Sequence, residues 1–315
     1  MRQKATIDTV AVVGAGLVGS AWSVIFSLAG LRVRVHDADP GIRSGLPGQL
    51  SRAMDDMVGA GLAEGAEEAL ARVTVCDTLA DAVADADYVQ ESVFERVDVK
   101  TEAASRIGAL IRPDAIVGSS SSGIPASAFT ETAPHRGRFL VVHPVNPPHI
   151  VPVVELVPAP WTDPGVVDDV RSFMERIGRA PVVLTREIEG FILNRLQGAL
   201  LNEAFALLED GYASVADIDA TISQGLGLRW CFMGPFETID LNAPGGLDDY
   251  ARRLEPLYRS VAQSRTSVRG WSPALIEKAD RERRALLPRD ALPARRDWRD
   301  RMLLGLVRHL RRSGA

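Results

Sequence analysis

The segment that most limits the fold is TVAVVGAGLVG, residues 9–19, where a β-branched run ends in Gly14, Gly16 and Gly19 and the helical pattern LVGSAWSVIFSLAG follows at once. An apolar strand, a glycine turn and a helix in that order predict a unit that can cradle a pyrophosphate. Glycine first permits the tight turn, second lets the backbone approach the phosphates, and third lets helix and strand pack closely. Leu17 and Val18, between the second and third glycines, open the helix whose first amides face an anion. GxGxxG alone occurs by chance, but Asp37 stands 18 residues past Gly19, at the end of the next run, RVRVHDAD. A carboxylate there can accept from ribose hydroxyls. It would also repel the 2′-phosphate of NADP, and Ala38 brings no cation to offset it, so the residues favour NAD.

Residues 8–186 continue the alternation of short β-branched runs with helical patterns, which predicts βαβ units on a parallel sheet. The further strand candidates are VTVC at 73–76, DYVQESV at 87–93, AIVGS at 115–119, FLVVHPV at 139–145, VPVVELV at 151–157 and PVVLT at 181–185. Asp163 and Pro164 offer an N-cap and a first-turn proline for a helix ending near Gly178. Beyond Arg186 helical periodicity takes over, so the expected division is a Rossmann-type α/β domain over 1–186 and an all-helical domain over 187–315. Within the second, Ser214 and Asp217 form a capping box, with Gly225 and Gly227 expected to stop that helix. Trp298, Met302, Leu306 and Leu310, spaced by four, predict the packed face of a basic terminal helix.

Composition excludes several classes. A formal charge of -5 argues against a nucleic-acid binder. The two cysteines, Cys76 and Cys231, fit neither a metal pair nor a disulfide scaffold, and no His, Cys and acid cluster has ligand spacing, so no metal is expected. The N-terminal residues lack a secretory pattern, and no apolar run reaches the roughly 18 residues of a membrane span. A soluble, cytoplasmic protein is the expectation.

A histidine ordinarily titrates near about pH 6.5 and is the natural general base. Of the five in the chain, His143 ends the run FLVVHPV, and ligands of open parallel sheets bind outside the carboxyl ends of strands. The residues alone leave open whether it is a base or a buried, satisfied imidazole.

HPVNPPHIVPVVELV, GFILNRLQGALLNEAFALLEDG and GLGLRWCFMGPFETIDL together resemble the 3-hydroxyacyl-CoA dehydrogenase superfamily, and within it the lambda-crystallin or L-gulonate 3-dehydrogenase branch. The resemblance runs from GAGLVGSAW through SSSSGIPAS to ARRDWRD. It implies a Rossmann-type domain joined to a helical domain that mediates homodimerisation. It also implies a catalytic His143 braced by Glu155, with Ser122 and Asn194 touching the reacting oxygen, and it assigns Glu95 with Arg96 and Lys100 to a cofactor-contacting loop and Asn146 to the nicotinamide and substrate region. Glu95 and Lys100 also suit the exposed first turn of a helix.

Arg229, in GLGLRWCFMGPFE, departs from the glycine-rich run of acyl-CoA enzymes. A guanidinium there can grip a carboxylate bidentately; a purely structural Arg229 would pair with an acid such as Glu237. The expected activity is NAD-dependent oxidation of the C3 hydroxyl of a small hydroxy acid resembling L-gulonate. The alternatives are an L-3-hydroxyacyl-CoA or 3-hydroxybutyrate dehydrogenase and, in another class, a structural crystallin-like or non-enzymatic NAD-binding protein.

Overall fold

The computed structural model describes residues 7–265 and 270–313. Two compact units are present, one running through Arg195 and including Asp300–Arg308, the other Leu196–Arg299 with the segment after Arg308. The first is built on eight strands, β1 Thr9–Val13, β2 Arg32–His36, β3 Val73–Val75, β4 Tyr88–Glu91, β5 Ile116–Ser119, β6 Phe139–Pro144, β7 Val153–Pro158 and β8 Ala180–Val183. Their spatial order is β3-β2-β1-β4-β5-β6-β7-β8.

Helices cover both faces, which explains the near-continuous apolar strands. Alternate residues of β1 enter different cores: Val10 and Val12 pack with Trp22, Phe26, Leu50 and Phe173, whereas Ala11 and Val13 pack with Ile107, Phe129, Phe139 and Phe191. The sheet is parallel from β3 across to β6, as its pattern predicts, but β7 runs antiparallel to β6 and carries β8 with it. The reason is length: the link from Pro144 to Val153 is shorter than the dozen or so residues of a parallel crossover. The reversal sets His143 directly opposite Glu155.

The second unit is helical, with no strand among its described residues. Ser214 caps as expected, its Oγ accepting from the Asp217 amide. Gly225 and Gly227, however, do not stop the helix. A π-turn over Ile222–Leu226 carries it into Gly227–Trp230, because both glycines keep right-handed backbone and the wider turn absorbs an extra residue.

The terminal helix, Leu292–Ser313, also departs from expectation. Leu304, with Leu303 and Val307, packs against Met57 and Ile150, while Trp298 and Met302 remain exposed. The sequence carries two apolar stripes on this helix: Leu303, Leu304 and Val307 meet Met57 and Ile150, whereas the regular four-residue stripe is packed only in part, with Leu306 and Leu310 half-buried. Leu304→Ala should therefore cost about 2–5 kcal/mol in urea denaturation, and Met302→Ala about 0.5 kcal/mol or less; the reverse order would contradict this packing.

Candidate active site

The glycine turn explains itself sterically. Gly14 has φ +91°, and a Cβ there would lie 2.6 Å from the Ser92 carbonyl oxygen; one on Gly19 would lie 1.8 Å from the Gly14 carbonyl oxygen. Gly16 faces open space, so its missing side chain leaves backbone accessible from the crevice, as a diphosphate requires. Beside it the helix Leu17–Leu28 begins, with Leu17 exposed and Val18 half-buried. Asp37 closes the other side. Its Oδ2 accepts from the Ala15 amide at 2.7 Å and its Oδ1 from the Asp39 amide at 2.9 Å, which fixes the carboxylate and leaves further lone pairs for ribose hydroxyls. A cation does lie nearby, unforeseen from Ala38: Arg43 donates to the carbonyls of Asp37 and Ala38 and sits 3.7 Å from Asp77. Arg43 is engaged by those carbonyls, and the fixed Asp37 carboxylate repels a 2′-phosphate, so the crevice suits an unphosphorylated ribose. The residues present thus fit NAD.

His143 is buried at the carboxyl end of β6, and its Nδ1 lies 2.7 Å from Oε2 of buried Glu155 on β7. The other carboxylate oxygen accepts from the amides of Ile192 and Leu193 at 2.8 and 2.9 Å, at the start of the helix Leu193–Glu209. Burial pushes the Glu155 carboxyl up, but the bonds from His143 and from the Leu193 and Ile192 amides outweigh it and hold the group below its usual range. An ionised carboxylate only accepts, so Nδ1 carries the proton and Nε2 is the basic nitrogen. Phe191, with φ +52° and a ring centroid 5.8 Å from that of His143, turns the chain into these amides.

Ser122 and Asn194 meet: Asn194 Nδ2 donates to the Ser122 carbonyl at 2.5 Å. Ser122 is exposed, and its amide donates to Glu95 at 2.8 Å. The Gly123 amide and the Ser121 hydroxyl donate to the same carboxylate. Burial raises Glu95, but the bonds from Gly123, Ser122 and Ser121 and the charge of Lys100 bring it below the ordinary value. Glu95 therefore ties the loop after β4 to the serine turn after β5. Lys100 is not on an exposed first turn. It is buried, donating to both oxygens of Glu91 at 3.0 and 3.1 Å, with Ser119 Oγ at 3.4 Å. Arg96 pairs with Asp98 on the surface. Asn146 is exposed on the loop after His143, with no hydrogen bond among the described residues. Arg229 lies on the short helix Gly227–Trp230 of the second unit, exposed, and among the described residues it has no ion pair to Glu237 or any other acid.

Sequence reasoning missed Phe191, Ile192 and Leu193, which act through backbone, and Glu91, whose partner Lys100 was assigned elsewhere. The Gly190–Phe191 break before a long apolar helix was the available signal. Among the described residues no group of three His, Cys, Asp or Glu side chains could hold a metal, and no helix is long and apolar enough to cross a membrane.

The family profile described as "3-hydroxyacyl-CoA dehydrogenase, NAD binding domain" matches residues 9–188, and "3-hydroxyacyl-CoA dehydrogenase, C-terminal domain" matches residues 190–280. Lambda-crystallin of Oryctolagus cuniculus is 39% identical over 95% of both chains. L-carnitine dehydrogenase of Streptomyces griseus is 40% identical over 79% of this chain and 73% of that one. Among solved structures, 5-formyl-3-hydroxy-2-methylpyridine 4-carboxylic acid 5-dehydrogenase, named an NAD+-dependent dismutase, superposes with TM-score 0.79 at 28% identity, covering 97% of this chain and 99% of that one. (S)-3-hydroxybutyryl-CoA dehydrogenase from Ralstonia eutropha gives 0.67 at 25% identity, covering 82% and 89%.

The lowered Glu155 carboxyl has a measurable signature. A group depressed on folding stabilises above its unfolded value, and the benefit is lost as pH falls through the folded one. Glu155→Gln should thus be less stable than wild type by about 1.5–3 kcal/mol at neutral pH, with the two converging as pH drops below the ordinary carboxylate range. Urea denaturation across pH checks this; a pH-independent gap would contradict the ionised bridge.

Proposed function

The chain belongs to the 3-hydroxyacyl-CoA dehydrogenase family, and on that premise we propose that this NAD-dependent dehydrogenase oxidises the C3 hydroxyl of a small free hydroxy acid of the L-gulonate kind. The observation that carries the reading is the buried His143–Glu155 pair, whose hydrogen-bond directions leave Nε2 as the proton acceptor. Gly14, Gly16, Leu17, Val18, Gly19 and Asp37 would hold the dinucleotide, with Glu95, Lys100 and Asn146 on its nicotinamide side. When bound, NAD supplies the acceptor for the hydride that leaves the carbinol carbon.

His143 Nε2 takes the hydroxyl proton as the carbonyl forms. The imidazolium that results is stabilised by Glu155, which cannot swing away because two amides hold its far oxygen. Ser122 and Asn194 hydrogen-bond the reacting oxygen as alcohol and as ketone. General-base help of this kind is worth about 10²–10⁴-fold.

Arg229 supports a free acid over a thioester: its guanidinium is not neutralised by an acid of the described chain, and a carboxylate is its natural bidentate partner. Two similar proteins also act, by name, on compounds that carry a carboxylate, carnitine and a pyridine carboxylic acid. An acyl-CoA or 3-hydroxybutyrate substrate is the second reading, supported by the family descriptions and the Ralstonia eutropha enzyme. A homodimer through the helical unit, acting in the cytoplasm, completes the proposal; exposed Leu228, Phe232, Phe236 and Leu257 give that unit apolar surface of the sort a second copy covers.

Steady-state assays with L-gulonate, L-carnitine, 3-hydroxybutyrate and 3-hydroxybutyryl-CoA decide the substrate. His143→Ala should lower kcat about 10²–10⁴-fold with NADH affinity unchanged; intact turnover would refute the base. Arg229→Met should raise KM for the free acid about tenfold or more, and an unchanged KM would refute the carboxylate clamp.

A further inference from the structure

A buried run of hydrogen bonds ends in the crevice and has a forced direction. The Tyr88 hydroxyl lies 2.5 Å from Gln90 Oε1, an atom that only accepts. Gln90 Nε2 lies 2.8 Å from Ser120 Oγ and 3.4 Å from the Val142 carbonyl oxygen. Because that carbonyl only accepts, it fixes the amide orientation, and the Tyr88 hydroxyl, which can donate or accept, is left to donate to Oε1. Trp22 Nε1, a pure donor, reaches Ser120 Oγ at 3.2 Å. A hydroxyl has two lone pairs and one hydrogen. Both Ser120 lone pairs are filled, so its hydrogen goes to its remaining neighbour, Ser92 Oγ, at 2.8 Å. Ser92 therefore accepts from within the protein, and its own hydrogen has no acceptor among the described residues.

The position of Ser92 says what should receive that hydrogen. Ser92 is half-buried, directly follows β4 and abuts the glycine turn through its carbonyl. The strand order β2-β1-β4-β5-β6 sets Asp37, Gly14, Ser92, Ser120 and His143 at successive strand ends, roughly 4.8 Å apart per step. Asp37 marks the ribose end of a bound dinucleotide and His143 the reacting end, so Ser92 lies past the glycine turn on the reacting side.

We propose that Ser92 is a cofactor-recognition residue whose hydroxyl donates to an acceptor oxygen on the nicotinamide side of the dinucleotide, with Tyr88, Gln90, Trp22 and Ser120 locking it as a donor. The inference rests on the NAD reading of this crevice. It makes Gln90 a positioning residue, since its amide keeps the Ser120 hydrogen turned toward Ser92.

The test is direct titration of the purified chain with NADH and with ADP, which lacks the nicotinamide half. Ser92→Ala should weaken NADH about tenfold, one hydrogen bond's worth, and leave ADP within about twofold, with an unchanged thermal transition. Asp37→Ala should weaken both ligands. Gln90→Met should weaken NADH several-fold in the wild-type background and add little to Ser92→Ala, since the two act through one bond. Wild-type NADH affinity in Ser92→Ala, alongside the loss in Asp37→Ala, would overturn the proposal while the cofactor reading stands. A wild-type chain that binds neither NADH nor ADP would overturn both.

Discussion

The buried carboxylate of Glu155 is the constraint on which the site depends. An isolated charge taken out of water costs several kcal/mol even after relaxation, and this one is met by three donors: the His143 imidazole on one oxygen and the amides of Ile192 and Leu193 on the other. Each bond does two things. It repays desolvation, and it removes a direction in which the side chain could turn. The imidazole consequently has one tautomer and one orientation, both set by strands that cannot slip without moving every neighbouring side chain to the opposite face.

Holding those two amides in place has its own cost. Phe191 is left-handed, which disfavours a residue with a Cβ by roughly 1–2 kcal/mol. Its ring is fully buried with Phe129 and Phe139, and burying a phenylalanine returns about 1.5–3 kcal/mol. The balance favours the strained turn. Gly190, also at positive φ, absorbs the preceding bend without that penalty. The same ring lies against the imidazole, so the residue that aims the amides also shields the base from water.

How much of this was legible follows from the range of each signal. The glycine turn, Asp37 and the order of strands are local patterns, and their partners lie where period and punctuation place them. His143 stood out by ending a strand; its link to Glu155 was legible through the family resemblance and not from local pattern, because it depends on β7 reversing direction, at which only the shortness of the Pro144–Val153 link hinted. Gln90, Ser92 and Ser120 belong to two segments whose polar residues look unremarkable singly; their meaning lies in which atom donates to which, and a sequence does not carry that. The terminal helix misled for a related reason. Two stripes satisfied helical spacing, and tertiary contact with Met57 and Ile150 chose between them.

Lys100 shows why spacing and role can part. It stands five residues after Glu95, in the pattern of an exposed helix start, yet its ammonium is buried against Glu91 and Ser119. A buried ion pair adds little net stability, but stripping one partner leaves an unpaired charge that costs about 3–5 kcal/mol. Lys100 is therefore tied to Glu91 first, and its charge reaches the crevice indirectly, by lowering the Glu95 carboxyl that binds the Ser121–Gly123 turn. One buried cation thus faces two acids, Glu91 at the end of the interior strand β4 and Glu95 on the loop that follows it. The serine turn beside the reacting centre is held by a carboxylate that the amides of Gly123 and Ser122 chiefly keep ionised, with the Lys100 charge adding to them.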